Sequence, residues 1–170
     1  MGLSVGLLVG AMIGNLTIPA ELEGLVAALA QARVQVAIAE QCPPQMKGWY
    51  VAEGLDRRLI LCPNNFRRET DLRDTLSHEA VHGAQFCARG LLFSPQERQT
   101  MLEQLPQRQR QSLLLYPARE IAREIEARAL EEQPSQVATL VARHCHRMMP
   151  PVLPTPLPGV RPSSPAGSGP

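Results

Sequence analysis

The chain has 170 residues, of which 44% are hydrophobic and 19% charged, so it is long enough for about one globular domain with a buried core. Its formal net charge is +1, and its lysines and arginines are scattered along the sequence. This charge pattern argues against nucleic acid as a partner and leaves proteins, peptides and small molecules open.

The N-terminal stretch MGLSVGLLVGAMIGNLTIPA carries no charged side chain. It is rich in glycine and too short for a comfortable bilayer span, which needs about 20 apolar residues, and it lacks the basic start of a secretory signal. We expect residues 1–16 to be a buried or poorly ordered segment, with an atypical export signal or membrane contact as the alternative. A cytoplasmic location is favoured, and no firm membrane span is predicted.

Residues 17–148 are predicted to form the folded domain, which begins with a helix at residues 21–33. Three strands are expected next, at residues 34–39, 49–52 and 59–62. The Glu-Gly-Leu-Asp sequence at residues 53–56 predicts a turn that joins the last two strands as a hairpin. Everything after residue 68 has helical character, so a small sheet followed by helices predicts an α+β fold.

Four helices with recognisable ends are predicted in this second half. Asp71 is the expected cap of the first, which runs to about residue 89 and stops at Gly90. Ser94 starts the second, with proline at the first helical position and glutamate at the third. The last two helices open near prolines and cover residues 117–132 and 134–146.

The C-terminal stretch, residues 149–170, is dominated by proline, serine and glycine. Such a sequence has no periodic apolar face to offset the entropy lost on ordering the chain. We therefore predict a disordered tail.

The first of the four helices contains His-Glu-Ala-Val-His at residues 78–82, an HExxH pattern. Side chains four residues apart on a helix lie on the same face, so His78 and His82 can bind one ion. Zinc accepts neutral imidazole nitrogens at about 2.0–2.1 Å, and it lowers the pKa of a bound water to about 7 in catalytic sites. Glu79 is placed to act as general base on that water, which predicts a zinc metallopeptidase that hydrolyses peptide bonds.

A catalytic zinc site needs a third protein ligand, and the helix near residues 116–130 is rich in glutamate. Four candidates are available there, namely Glu120, Glu124, Glu126 and Glu131. A salt-bridged, solvated surface is the alternative interpretation of such a helix. Tyr116, just before it, is a candidate hydrogen-bond donor to the oxyanion.

Residues 58–132 resemble the mitochondrial intermembrane-space metalloprotease family that processes an ATP-synthase subunit. The resemblance rests on a strand that ends in Leu-Cys-Pro-Asn at residues 61–64, on the helix Asp-Thr-Leu-Ser-His-Glu-Ala-Val-His at residues 74–82, on Cys87, and on Glu-Ile-Glu-Ala at residues 124–127. It implies a zincin-like fold, with the small sheet followed by a helical region that carries the HExxH helix and a glutamate-bearing helix.

The resemblance also implies a ligand set. The family's third zinc ligand carries over to Glu124, and Glu120 is the runner-up. Two positions depart from the family pattern: Gln85 and Arg128 stand where the family or its relatives have acidic residues that orient the ligands. The role in ATP-synthase assembly is not carried over.

Four cysteines, at positions 42, 62, 87 and 145, leave the compartment open. They would be buried thiols in a reducing cytosol, or two disulfides in an oxidising compartment. The resemblance adds a possible contact between Cys62 and Cys87, with buried free thiols as the alternative.

The sequence therefore predicts a zinc metallopeptidase acting on a protein or peptide, which could pair with the strand that ends at Cys62 or with residues 49–52. The first alternative is a non-catalytic, zinc-stabilised assembly factor or binding domain. The second is a helical domain that binds no metal. The oligomeric state stays open.

Overall fold

The computed structural model describes residues 12–13, 16–54 and 56–145. The predicted apolar segment, residues 1–16, lies mostly outside the described residues, and the predicted tail, residues 149–170, lies entirely outside them.

Five strands and six helices are found in this part of the chain. The strands are β1 (Met12–Ile13), β2 (Leu16–Thr17), β3 (Gln35–Ile38), β4 (Gly48–Glu53) and β5 (Asp56–Leu61). The helices are α1 (Ala20–Gln31), α2 (Asp71–Ala88), α3 (Pro95–Gln104), α4 (Gln107–Leu113), α5 (Ala118–Leu130) and α6 (Pro134–Cys145). The predicted α+β class is confirmed, although α4 was not separately predicted. None of these helices is long and apolar enough to cross a membrane.

The main sheet has the strand order β3-β5-β4. Strand β5 pairs in parallel with β3 and antiparallel with β4, and Gly54 takes a positive φ of 63° in the connection between β4 and β5. The predicted hairpin is therefore confirmed. Because β5 lies at the centre of the sheet, the prediction that the strand ending at Cys62 could accept an added strand is wrong. Strand β4 lies at one edge of this sheet, and α2 packs against it.

The core forms where α1, α2 and α6 pack together with the sheet. Its fully buried side chains include Leu22, Leu25, Leu29, Leu59, Leu61, Leu76, Val81, Val137 and Val141. A second, smaller cluster of Leu105, Leu113 and Ile125 joins α3, α4 and α5. Helix α5 therefore packs against α2 on one side and against α3 and α4 on another. These contacts hold in place the helix that carries Glu124, the candidate third ligand.

The predicted ends of α2 need two corrections. The N-cap is Thr70, and Asp71 is the first helical residue; its buried carboxylate accepts hydrogen bonds from the backbone N–H groups of Arg67 and Arg68 and pairs with Lys47 at 2.7 Å. At the other end the left-handed residue is Arg89, with φ of 57°. Gly90 donates its N–H to the Gln85 carbonyl, the longer bond of a Schellman motif.

The start of α3 is as predicted. The Ser94 side chain accepts a hydrogen bond from the Glu97 N–H, and the Glu97 carboxylate accepts one from the Ser94 N–H. This capping box satisfies two N–H groups that the helix cannot satisfy itself.

The cysteines form two disulfides, Cys42–Cys62 and Cys87–Cys145. Both the expected contact between Cys62 and Cys87 and the alternative of free thiols are therefore wrong. The segment before β4 carries Cys42 alongside the end of β5, where the Cys62 N–H donates to the Lys47 carbonyl. Cys87 instead faces α6, which packs along α2 and ends at Cys145.

Candidate metal centre

Helix α2 lies against one face of β4, and two glycines make this close approach possible. A Cβ on Gly48 would lie 2.7 Å from Thr75 Cγ2, 2.8 Å from the Ile60 carbonyl oxygen and 3.5 Å from Glu79 Cγ. A Cβ on Gly83 would lie 3.1 Å from the Tyr50 ring. The strand can therefore run directly beside the HExxH helix and form one wall of a cleft.

The two histidines and one glutamate converge, as the sequence predicts. His78 Nε2 lies 3.4 Å from one carboxylate oxygen of Glu124, and His82 Nε2 lies 3.2 Å from the other. Among the described residues, these three side chains offer ligand atoms that all lie within 4.8 Å of one another. Helix α5 supplies Glu124, which is 7% exposed.

The three side chains are close enough together to hold one metal ion. Two ligand atoms that are each about 2.0–2.1 Å from a tetrahedral zinc lie about 3.3 Å apart. The two nitrogen–oxygen separations, 3.4 Å and 3.2 Å, are close to that value, and each runs to a different oxygen of the Glu124 carboxylate. One oxygen of Glu124 is also buried without a hydrogen-bond partner of good geometry in the described part of the chain. The donor set of two imidazoles and one carboxylate is one that zinc accepts.

The other ring nitrogens have their own partners. Nδ1 of His78 lies 3.3 Å from the Glu131 carboxylate, and Nδ1 of His82 lies 2.9 Å from Oε1 of Gln85. With Nδ1 as the donor in each ring, Nε2 keeps its lone pair for a metal. An acceptor at Nδ1 therefore holds each imidazole ring in its orientation. For His82 this acceptor is the amide of Gln85 and not a carboxylate.

Gln85 is fully buried, and it connects His82 to a second helix. Its Nε2 donates to the Glu126 carboxylate at 2.9 Å and to the Arg123 carbonyl at 3.1 Å. Glu126 also accepts from the N–H groups of Leu92 and Phe93. An amide can accept from an imidazole and donate to a carboxylate, which a second carboxylate cannot do. Glutamine at position 85 therefore suits both of its partners, His82 and Glu126.

The four glutamates near α5 have different surroundings. Glu124 lies with the histidines, and Glu131 follows the helix and contacts His78. Glu126 is buried against Gln85, whereas the Glu120 side chain is 40% exposed and pairs with Arg119 at 3.3 Å. The roles of Glu126 and Glu131 were not predicted, because they depend on how α5 packs against α2.

Without a bound cation, the ionisation of His78 and that of Glu124 depend on each other. Burial lowers the pKa of His78, but hydrogen bonds to Glu124 and Glu131 and the charge of Glu79 outweigh it and raise the pKa to about 9. Burial raises the pKa of Glu124, but its hydrogen bonds to the two histidines hold that pKa well below the usual range. A bound cation would take the place of the proton in balancing this carboxylate.

Tyr116 lies beside the cluster and contacts the guanidinium of Arg128. Arg128 Nη2 donates to the Tyr116 hydroxyl at 3.4 Å, and the guanidinium carbon lies 5.9 Å from the centre of the ring. Burial raises the pKa of Tyr116, as does the nearby Glu124 carboxylate, so the phenol keeps its proton at neutral pH.

Two cavities meet at His78, Glu79 and Tyr116. One, of about 440 Å³, runs along β4 and is lined by Trp49 and Ala52, among others. The other, of about 520 Å³, extends past Gly48 towards Lys47, Arg68 and Arg128. The cluster therefore lies in a cleft that continues on both sides of it.

The fold and the site define a class of protein, namely an α+β domain that carries a histidine–histidine–glutamate cluster in a cleft. The family model "Domain of unknown function (DUF8637)" matches residues 25–146, and the chain belongs to this family. The matched range contains the cluster and both disulfides. No curated protein matches the chain, and no solved structure does.

Proposed function

We propose that this chain is a zinc-dependent metallopeptidase with a zincin-like fold, in which His78, His82 and Glu124 hold the metal. The observation that carries the proposal is the convergence of both Nε2 atoms on the Glu124 carboxylate, with one ligand atom from each of the three residues within 4.8 Å of the others. The Nδ1 contacts of both rings with acceptors support it further.

Glu79 is the proposed general base. When bound, zinc supplies a Lewis acid that lowers the pKa of a water and polarises a peptide carbonyl. Glu79 follows His78 on α2 and lines both cavities at their junction. Its carboxylate takes one proton from the attacking water and delivers it to the amide nitrogen as the C–N bond breaks. The remaining hydroxyl group stays on the carbonyl carbon, so one water is consumed for each bond cleaved.

Tyr116 is the proposed donor to the oxyanion. Its oxygen accepts a hydrogen bond from Arg128, and its own proton, which hydrogen-bonds to Glu124 when no metal is bound, would turn to a substrate oxygen once a metal engages that carboxylate. It lines both cavities together with Glu79. A donor fixed in this way stabilises negative charge as it develops on the carbonyl oxygen.

Strand β4 is the proposed binding edge for an extended peptide. In an antiparallel pair, every second residue forms hydrogen bonds with the partner strand. The Cys62 N–H donates to the Lys47 carbonyl, so residues 47, 49 and 51 face β5 and the backbone groups of Gly48, Tyr50 and Ala52 are directed away from it. These three residues line the cleft. A peptide added as a further strand would therefore pass the metal cluster.

The two disulfides support a location outside a reducing cytosol. Disulfides form and persist in oxidising compartments and are rare in the cytosol. Export to an oxidising compartment therefore accounts better for the two disulfides than the cytoplasmic location that the sequence favours.

The alternative is a non-catalytic domain in which zinc fastens α2 to α5. One observation favours it, namely that the ligands come from these two packed helices. However, structural zinc sites usually have four protein ligands, whereas catalytic ones keep a position for water. Three protein ligands gather in the described part of the chain, which favours the enzyme.

The test compares three single variants of the full chain after purification without added zinc. Glu124→Gln should lower zinc content, and Glu120→Gln, on the same helix one turn earlier, should not. Glu79→Gln should keep zinc and lower peptide hydrolysis by about 10²–10⁴-fold, the usual contribution of a general base. Hydrolysis that survives in Glu79→Gln would exclude the mechanism. A zinc-free wild type would exclude the metal site.

A further inference from the structure

The cavity beside Gly48 has three cations in its lining, and two of them are already paired. Lys47 lies 2.7 Å from Asp71, and Arg68 lies 2.9 Å from Asp71 and 3.2 Å from Asp74. Their charges are balanced inside the protein. The third cation, Arg128, is placed differently.

In the described ranges, no carboxylate lies within ion-pair distance of Arg128. Its Nη2 donates to the neutral Tyr116 hydroxyl, and its Nε is buried without a hydrogen-bond partner there. Arg128 is only partly buried and lines the cavity. A partly desolvated guanidinium with no acid beside it would gain from an anionic ligand in that cavity.

The carboxylates that line the same cavity are engaged elsewhere. Asp74 is held by Arg68 and by Arg73, the latter at 2.7 Å. Glu131 contacts His78 and accepts a hydrogen bond from Gln109 at 2.8 Å. Glu79 is left for the chemistry of the site. Within the described residues, the protein therefore supplies no acid of its own to Arg128.

Arg128 is also held in a fixed position relative to the cluster. It follows Glu124 by four residues on α5, so both project from the same face of the helix. The contact with the Tyr116 ring restrains its guanidinium at the cavity wall. The cavity, about 520 Å³, opens directly from the junction at His78 and Glu79 and has room for a residue of a bound peptide.

We propose that Arg128 is a specificity-determining residue that binds a carboxylate of the peptide substrate in the cavity beside Gly48. This inference rests on the proposed peptidase function and names its substrate class. A free C-terminal carboxylate and an acidic side chain present the same chemistry to a guanidinium fork. A peptide along β4 would enter this cavity after passing the metal cluster.

The experiment uses the zinc-loaded full chain and two matched pairs of peptides. One pair differs in a free or an amidated C-terminus, and the other differs in glutamate or glutamine within the sequence. We expect kcat/KM to be about 10-fold or more higher for the carboxylate member of one pair, since charged hydrogen bonds are strong. The pair that shows the preference identifies the source of the carboxylate.

Variants then assign the preference to one side chain. Arg128→Gln should bring the ratio within the preferred pair close to 1, and Arg128→Lys should give an intermediate ratio because the fork is lost. Arg119→Gln is the matched control: it removes the same charge from the same helix at a side chain that is 83% exposed. It should keep the wild-type ratio.

A second readout separates this inference from the peptidase function. Binding of the same labelled peptides to zinc-loaded Glu79→Gln is measured by fluorescence anisotropy, which needs no turnover. Cleavage without a carboxylate preference, or a preference that Arg128→Gln retains, would overturn the inference and leave the peptidase function standing. Preferential binding with no cleavage by the wild type would overturn the peptidase function and leave Arg128 as an anion-binding residue. If the protein neither binds nor cleaves these peptides, both the peptidase function and the role of Arg128 are overturned.

Discussion

Oε1 of Gln85 lies 2.9 Å from Nδ1 of His82, so an amide orients an imidazole of the candidate metal centre. The same amide donates to Glu126, which is fully buried. The pair of contacts connects the HExxH helix to α5 through a single side chain.

Replacing Gln85 with leucine should weaken metal binding. The apolar side chain fills the space but removes the acceptor of the His82 N–H, and loss of such partners typically costs about 10–100-fold in metal affinity. The measurement is competition for zinc with a chelator of known affinity. Unchanged affinity would mean that Gln85 does not orient His82.

Gln85→Glu is the informative control for this prediction. It keeps an acceptor for His82 but loses the donor to Glu126 and brings two carboxylates together in the interior. We expect it to lower the free energy of unfolding by about 1–3 kcal/mol, because a buried hydrogen bond to a charged group is lost. Metal affinity should fall less than in Gln85→Leu once folding is accounted for.

Gly48→Ala should destabilise the protein and disturb the cleft. The added methyl would lie 2.7 Å from Thr75 Cγ2 and 2.8 Å from the Ile60 carbonyl oxygen, so strand and helix must separate. Overpacking of this kind costs about 1–3 kcal/mol. Gly24→Ala in α1 is the control, since no atom lies within 4 Å of its Cβ position and a helical alanine is favoured over glycine. Urea denaturation of both variants measures the difference.

In the metal-free protein, stability should fall as pH rises above neutrality. The pKa of His78 is raised to about 9, as a net result of burial, which opposes the shift, and of the hydrogen bonds to Glu124 and Glu131, which outweigh it. An unfolded histidine has a pKa of about 6.5. The proton therefore stabilises the folded state fully below about pH 6.5, and this contribution is lost as pH rises to about 9.

We expect the chelator-treated wild type to lose up to about 3 kcal/mol of unfolding free energy over this interval. His78→Asn removes the titrating group and should flatten the profile. A wild-type profile as flat as that of His78→Asn would show that His78 does not hold this proton.

Reduction should destabilise the chain, and the two disulfides should contribute unequally. The Cys87–Cys145 bond spans 58 residues, whereas Cys42–Cys62 spans 20. Loop entropy in the unfolded chain predicts losses of about 4 and about 3 kcal/mol respectively. Paired Cys→Ala variants, compared by thermal unfolding, measure each loss. An equal or reversed order would mean that native contacts, rather than loop length, set the difference.

Local signals in the sequence predicted much of the site. HEAVH predicts that His78 and His82 lie on one face of a helix, because that relation depends only on the 3.6-residue period, and the structure has both side chains at Glu124. The capping box at Ser94 is equally local. The choice of Glu124 over Glu120 came from the family resemblance, and the structure brings Glu124 to the histidines.

What the sequence could not provide are contacts between elements far apart along the chain. Gln85 meets Glu126 across 41 residues, and His78 meets Glu131 across 53. The pairing of the cysteines depends likewise on α6 lying along α2 and on the segment before β4 lying beside the end of β5. Periodicity within one helix carries no information on which helix packs against it.

The Cys87–Cys145 bond also determines how the protein would behave when cut. His78 and His82 precede the loop that this bond closes, and Glu124 lies inside it. Leu114 and Leu115, which are 79% and 86% exposed, lie in the same loop before α5. A single nick there would leave two chains joined covalently and all three side chains of the candidate metal centre in one molecule. Such a nicked form would migrate as an intact protein until it was reduced, and its separate fragments would appear only then.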